Sequence, residues 1–295
     1  FFFKQKTAYE IYQCDWSSDV CSSDLSGVDA AAHATVDARP LTYGGYLRLE
    51  ELLALQSPRS AEHDELLFIV IHQTYELWFK QMLHEVRGAA SALRADEGWR
   101  AMHRIGRVRH ILKIAVAQVD ILETLTPLEF SAFRDRLATS SGFESAQFRE
   151  LEALLGIRNP RLADLLPDES DRERVRTAQR SPGLWDAVLT WLAARGHAVP
   201  KRLLDRDVTD VYQGDEEMQA TLLALYRRGG EVAALCEALV DIDEGLQEWR
   251  YRHVKMVERT IGRKSGTGGS TGVEYLAASL HRPVFPDLWA IRSGM

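Results

Sequence analysis

From Ala61 onward, apolar residues recur every three or four positions, the period of an α-helix, and no two alternating runs flank a hairpin turn. That period confines the chain to an all-α fold, a helical bundle of long helices with its core, and any site, between helix faces. Long helices are expected at Glu62–Leu93 and Glu97–Leu125, shorter ones at Pro127–Ala138 and Phe143–Leu155, and others at Pro182–Arg195, Glu216–Arg228 and Glu231–Ile261. Two starts are marked: Thr126-Pro127-Leu128-Glu129 offers an N-cap, a first-turn proline and a capping-box glutamate, and Ser181-Pro182 repeats the first two. Gly156 and Gly196 are matching C-terminal stops, and Gly229-Gly230 either separates two helices or kinks one. No linker rich in Pro, Gly or Ser divides the interior, so a single domain is expected over 41–295, behind a flexible tail over 26–40.

Residues 1–25 differ from the rest. They have neither a helical period nor the apolar core of a signal peptide. Lys4–Glu10 and Cys14–Leu25 resemble translated sequencing adaptors, with Ile11–Gln13 where a barcode would fall, so the segment reads as a sequence artefact or a disordered tail. Either reading excludes it from the fold. Two of the three cysteines lie there, which leaves Cys236 alone on an apolar helical face. No disulfide framework is possible, a buried inert thiol is expected, and a reducing cytoplasm fits.

A formal charge of −7 argues against a nucleic-acid or anionic-membrane surface, which needs clustered Lys and Arg. The longest purely apolar run, Leu66–Ile71, is far too short to span a bilayer. A soluble protein is therefore expected.

A helical chain without a strand-borne nucleotide loop must place its chemistry on side chains facing the bundle interior, or in a cofactor held there. Of nine histidines, His63, His84, His103 and His110 stand among charges, and His33, His197 and His281 fall in the tail or in loops. His72 and His253 remain. Trp249, His253 and Val257 share one helical face, and two readings fit: a core histidine bonded to a backbone carbonyl, or an iron ligand. Arg250, Arg252 and Lys255 nearby could be solvated surface charges or partners for propionates. His72 lies one turn after Phe68 and one turn before Glu76. An apolar setting would keep its imidazole neutral and able to accept a hydrogen bond, and a core histidine bonded to Glu76 fits as well. A metal site from His72 and Glu76 alone lacks a third ligand.

Phe130 and Arg134 share a face of the capped helix, where an Arg among aromatics suits a planar carboxylate, or a structural ion pair. The glycine-rich stretch Gly262–Val273 lacks both the order of a phosphate loop and a strand leading into it. It reads as a surface loop, or as a hinge that lets Thr267 or Ser270 reach a ligand.

The wording and order of these segments resemble one family. Leu41-Thr42-Tyr43-Gly44-Gly45-Tyr46-Leu47, His63–Ile69 running into His72–Trp78, Ser140-Ser141-Gly142-Phe143, Trp249–His253 and Gly266–Ser270 are similar to the tryptophan 2,3-dioxygenases of bacteria. The resemblance covers Leu41 to the C-terminus and implies a haem enzyme that inserts both atoms of dioxygen across the indole C2–C3 bond of L-tryptophan, giving N-formylkynurenine. It implies that His253 ligates the iron of haem b, one per subunit, and that His72 bonds the indole N–H on the opposite side. It further implies that Phe68 and Phe130 wall the indole, Arg134 binds the carboxylate and Thr267 contacts the amino-acid end. Tyr43 and Tyr46 match residues lent to a neighbouring subunit's pocket, so a homotetramer with shared sites is implied. Phe130 stands where the bacterial pattern often has Tyr, which removes one hydroxyl contact. Two rival readings of the same residues are a haem sensor or carrier without oxygenase activity, and a helical scaffold.

Overall fold

The computed structural model describes residues 41–137, 142–159, 161–262, 277, 280 and 282–295, and every regular element among them is helical. The chain divides into two compact units, Phe1–Leu52 and Leu53–Met295. In the first, α1 (Tyr43–Leu47) is followed by α2 (Leu49–Leu53). Thr42 caps α1 by accepting from the Gly45 N–H at 3.1 Å, and Tyr43 and Tyr46 are exposed.

The second unit is built on three long helices: α3 (Glu65–Arg94), α4 (Gly98–Leu122) and α12 (Glu231–Ile261), with α4 packed along both of the others. Around them lie α5 (Pro127–Arg134), α6 (Ala146–Leu155), α7 (Arg161–Asp164), α8 (Glu169–Arg180), α9 (Leu184–Ala194), α10 (Lys201–Leu204), α11 (Glu216–Arg228) and α13 (Pro286–Ala290). The reason α3 forms and docks is its stripe: Ile71, Tyr75, Phe79, Met82, Val86, Ala89 and Leu93 are buried at three- and four-residue steps. Two polar contacts fix its register on α4. The Tyr75 hydroxyl donates to the Ala115 carbonyl at 2.8 Å, and Gln118 Nε2 donates to the Ile71 carbonyl at 3.1 Å. Each satisfies a group that would be costly to bury alone.

The Thr126 capping box forms as the sequence suggests, with both reciprocal hydrogen bonds present. The second start is different. Ser181 does not cap α9; its hydroxyl donates to the Thr177 carbonyl at the end of α8, while Gly183 occupies the N-cap and donates its N–H to the Asp186 carboxylate at 2.7 Å. Gly156 and Gly196 follow their helices in the left-handed region. Gly229 and Gly230, at φ +70° and +88°, end α11 and begin α12, so the pair separates two helices. Helix α5 stops at Arg134 and tightens into a 3-10 turn over Asp135–Leu137, short of the expected end at Ala138. Helix α6 begins at Ala146, because Ser145 caps it by accepting from the Phe148 N–H, and a 3-10 turn precedes it where helix was expected from Phe143.

The polar helix α8 was not anticipated. It buries only Val175, Ala178 and Gln179, too short a stripe to read as a period. Cys236 is fully buried, and burial pushes its thiol up to about 12, so it is an inert core residue as expected.

Candidate active site

Helix α3 brings Phe68 and His72 together, their ring centroids 4.1 Å apart and tilted by 40°. His72 Nδ1 lies 2.7 Å from the Phe68 carbonyl oxygen. A carbonyl can only accept, so Nδ1 carries the proton and the neutral ring keeps its lone pair at Nε2. Burial holds the imidazole below its usual value, outweighing the Phe68 hydrogen bond and the Glu76 carboxylate, which act in the other direction. Glu76 is not the bonding partner. Its carboxylate accepts from Gln147 Nε2 at 2.8 Å.

Helix α5 supplies the facing wall. Phe130 and Phe133 each lie 5.7 Å from Phe68 between centroids and 5.5 Å from one another, edge to face. Phe133 is fully buried and was not singled out from the sequence, although it stands one turn from Phe130. Arg134, half-buried, follows it in the last turn of α5. Capping at Thr126 fixes where this short helix starts and hence which residues face Phe68.

From α12 comes His253, stacked on Trp249 one turn earlier with centroids 5.2 Å apart and an interplanar angle of 18°. Burial, then the charges of His72 and Arg149, push its imidazole down to about 4, so it is neutral at pH 7. Charge repulsion between His72 and His253 requires them to be neighbours, although 181 positions separate them in sequence. Each ring is only half-buried by surface area yet lies deep among protein atoms. His253 has no hydrogen-bond partner among the described residues.

Of the cations near His253, Arg252 pairs with Asp120 at 2.6 Å and Glu123 at 3.3 Å, and Lys255 pairs with Glu258 at 2.9 Å. These are outward-facing pairs. Arg250 instead turns inward, and Glu152 accepts from both Arg250 and Arg149 at 2.8 Å, with all three side chains buried. The sequence gives no sign of this network, because Glu152 and Arg250 are 98 positions apart. Among the described residues, no group of three His, Cys, Asp or Glu could hold a bare metal ion. Tyr43 and Tyr46 belong to the first unit, exposed by 77% and 70%. Thr267 and the glycine-rich stretch beyond Gly262, with Ser140 and Ser141, lie outside the described residues.

A family model described as tryptophan 2,3-dioxygenase matches residues 27–195 and 186–295. Curated proteins named tryptophan 2,3-dioxygenase are similar over most of their length. The one from Herpetosiphon aurantiacus is 52% identical over 260 residues, covering 88% of this chain and 100% of that protein. The one from Anaeromyxobacter dehalogenans is 53% identical over 268 residues, covering 90% and 99%. A more distant relative from Xanthomonas euvesicatoria is 41% identical over 278 residues, covering 92% and 93%.

Proposed function

The chain belongs to the tryptophan 2,3-dioxygenase family, and on that premise we propose how its own residues carry the family's reaction. That reaction is the oxidation of L-tryptophan by dioxygen, with both oxygen atoms inserted across the indole C2–C3 bond to give N-formylkynurenine. The observation that carries the residue-level reading is the nearness of two neutral imidazoles, His72 and His253, each with a ring nitrogen left to act.

The family depends on haem, and the donor set here fits that group. A lone imidazole cannot hold a bare ion, but it completes an iron whose in-plane ligands come from a porphyrin. Aromatic walls beside the two imidazoles suit the apolar faces of such a macrocycle. His253 would hold the iron of haem b, one per subunit, through a ring nitrogen. When bound, haem supplies the iron at which dioxygen is activated.

The protein's part is to bind, orient and exclude water. His72 Nε2 accepts the indole N–H, because its other nitrogen is committed to the Phe68 carbonyl. Phe68, Phe130 and Phe133 form an apolar wall for the indole, and Phe130 offers no hydroxyl. Arg134 grips the substrate carboxylate through two parallel hydrogen bonds, and Thr267 contacts the amino-acid end. Tyr43 and Tyr46 complete the pocket of a neighbouring subunit in a homotetramer. Their exposure supports this, as do the exposed apolar residues Leu66, Val70 and Leu77 on α3 and Ile114 and Ile121 on the adjoining α4. No helix among the described residues is long and apolar enough to cross a membrane, and a cytoplasmic site of action fits.

Replacing His72 with alanine tests the reading. Haem binding is expected to persist, while kcat/KM for tryptophan falls roughly 5- to 150-fold, the equivalent of one buried hydrogen bond worth about 1–3 kcal/mol. Unchanged kcat/KM would refute the role given to His72. A second outcome concerns pH. Protonating Nε2 removes the acceptor, so activity falls as pH drops through the folded-state pKa of His72, which burial places below the ordinary value of about 6.5. An acid limb of kcat/KM centred below 6.5 is expected; a limb centred at or above 6.5 contradicts the burial argument.

A further inference from the structure

We propose that Trp249 is a positioning residue whose indole, stacked on the His253 ring, sets the plane in which that imidazole presents its nitrogen to the haem iron. The proposal rests on the reading of His253 as the axial ligand. Rotation about the bond that carries an imidazole ring is soft, so an unsupported ring samples a broad range of planes. Ligating histidines are ordinarily held by a hydrogen bond to the second ring nitrogen. His253 has no such bond among the described residues. The nearly parallel indole one turn earlier, at 5.2 Å and 18°, is what holds it.

The indole is in turn held by rings from two other helices. Phe148 of α6 lies 4.8 Å from it at 44°, and Phe79 and Tyr75 of α3 meet it edge to face at 6.1 and 6.2 Å. The orientation of His253 is therefore tied to packing between α3, α6 and α12, with no polar partner among the described residues. The plane of an axial imidazole governs its π overlap with the iron d orbitals. It therefore affects the anisotropy of a low-spin ferric centre and the uniformity of the bond to the ligand.

The test uses the full haem-loaded chain and two spectroscopic readouts, the iron–histidine stretch of the ferrous protein and the g-anisotropy of its ferric cyanide complex. Trp249→Phe and Trp249→Tyr keep a ring face; Trp249→Met fills space without one. Leu239→Ala, in the core of the same helix away from the rings, lowers stability without touching the stack. Expected are wild-type spectra for the Phe, Tyr and Leu239 variants, and a broadened, shifted stretch with altered g values for the Met variant. Wild-type spectra in Trp249→Met would overturn the proposal, as would an equal shift in Leu239→Ala. A shift in both ring-bearing variants would overturn it even if the methionine variant does not fold. A wild-type protein that binds haem without an iron–histidine band would remove the His253 assignment itself, which separates that failure from a failure of the stack.

Discussion

His253→Ala protein supplied with haem is expected to show no stable Soret band and to make no N-formylkynurenine, yet to remain helical. A complete loss is expected because, in the function proposed above, His253 is the residue that bonds the iron. Among the described residues no group of three His, Cys, Asp or Glu could hold a metal ion in its place. Losing the contact with Trp249 lowers stability by roughly 1–3 kcal/mol, within what a domain with about 5–15 kcal/mol in hand tolerates. Added imidazole should partly restore the Soret band by filling the space that the side chain leaves. Absorbance and far-ultraviolet circular dichroism on the same sample check both halves. A haem-replete, active His253→Ala protein would show that the iron is held by something else.

The second large effect is structural. Asp243 of α12 has no exposed surface, and its carboxylate accepts from the Val284 and Phe285 N–H groups at 2.8 and 3.0 Å, Trp289 Nε1 at 2.8 Å and Gln247 Nε2 at 2.9 Å. It ties the C-terminal segment and α13 to the long helix that bears His253. Asp243→Ala strands two buried backbone donors, each costing about 1–3 kcal/mol, so a loss of roughly 2–6 kcal/mol is expected. Asp243→Asn keeps the shape and one accepting oxygen and should lose less. Denaturant melts of the two variants measure this directly. If Asp243→Ala unfolds at the wild-type midpoint, the carboxylate is not the clamp.

Much of this molecule is legible in its sequence because long helices announce themselves by period. The α3 and α12 stripes place Phe68 with His72 and Trp249 with His253 from spacing alone. What spacing does not carry is which helices meet. The neighbourhood of His72 and His253, and the Arg149–Glu152–Arg250 network, follow from how α3, α6 and α12 are brought together in the fold, a tertiary outcome with no local signature. Local competition misleads in a different way. A bond from His72 to Glu76 one turn ahead is one of two readings that the spacing allows, but its Nδ1 reaches back to the carbonyl four residues earlier, as His110 does to Gly106. Helix α8 stayed invisible because its end is closed from outside: Arg158 donates to the carbonyls of Ala178, Gln179 and Ser181, a cap delivered from some 20 positions upstream.

The central claim is that these residues bind haem through His253 and oxidise tryptophan beside it. Visible absorbance of the purified, haem-supplied protein, reduced and then mixed with oxygen and L-tryptophan, addresses both parts in one cuvette. The account predicts a Soret band and growth of the near-ultraviolet band of N-formylkynurenine. Haem-free protein after reconstitution, or a Soret band with no product, would contradict it.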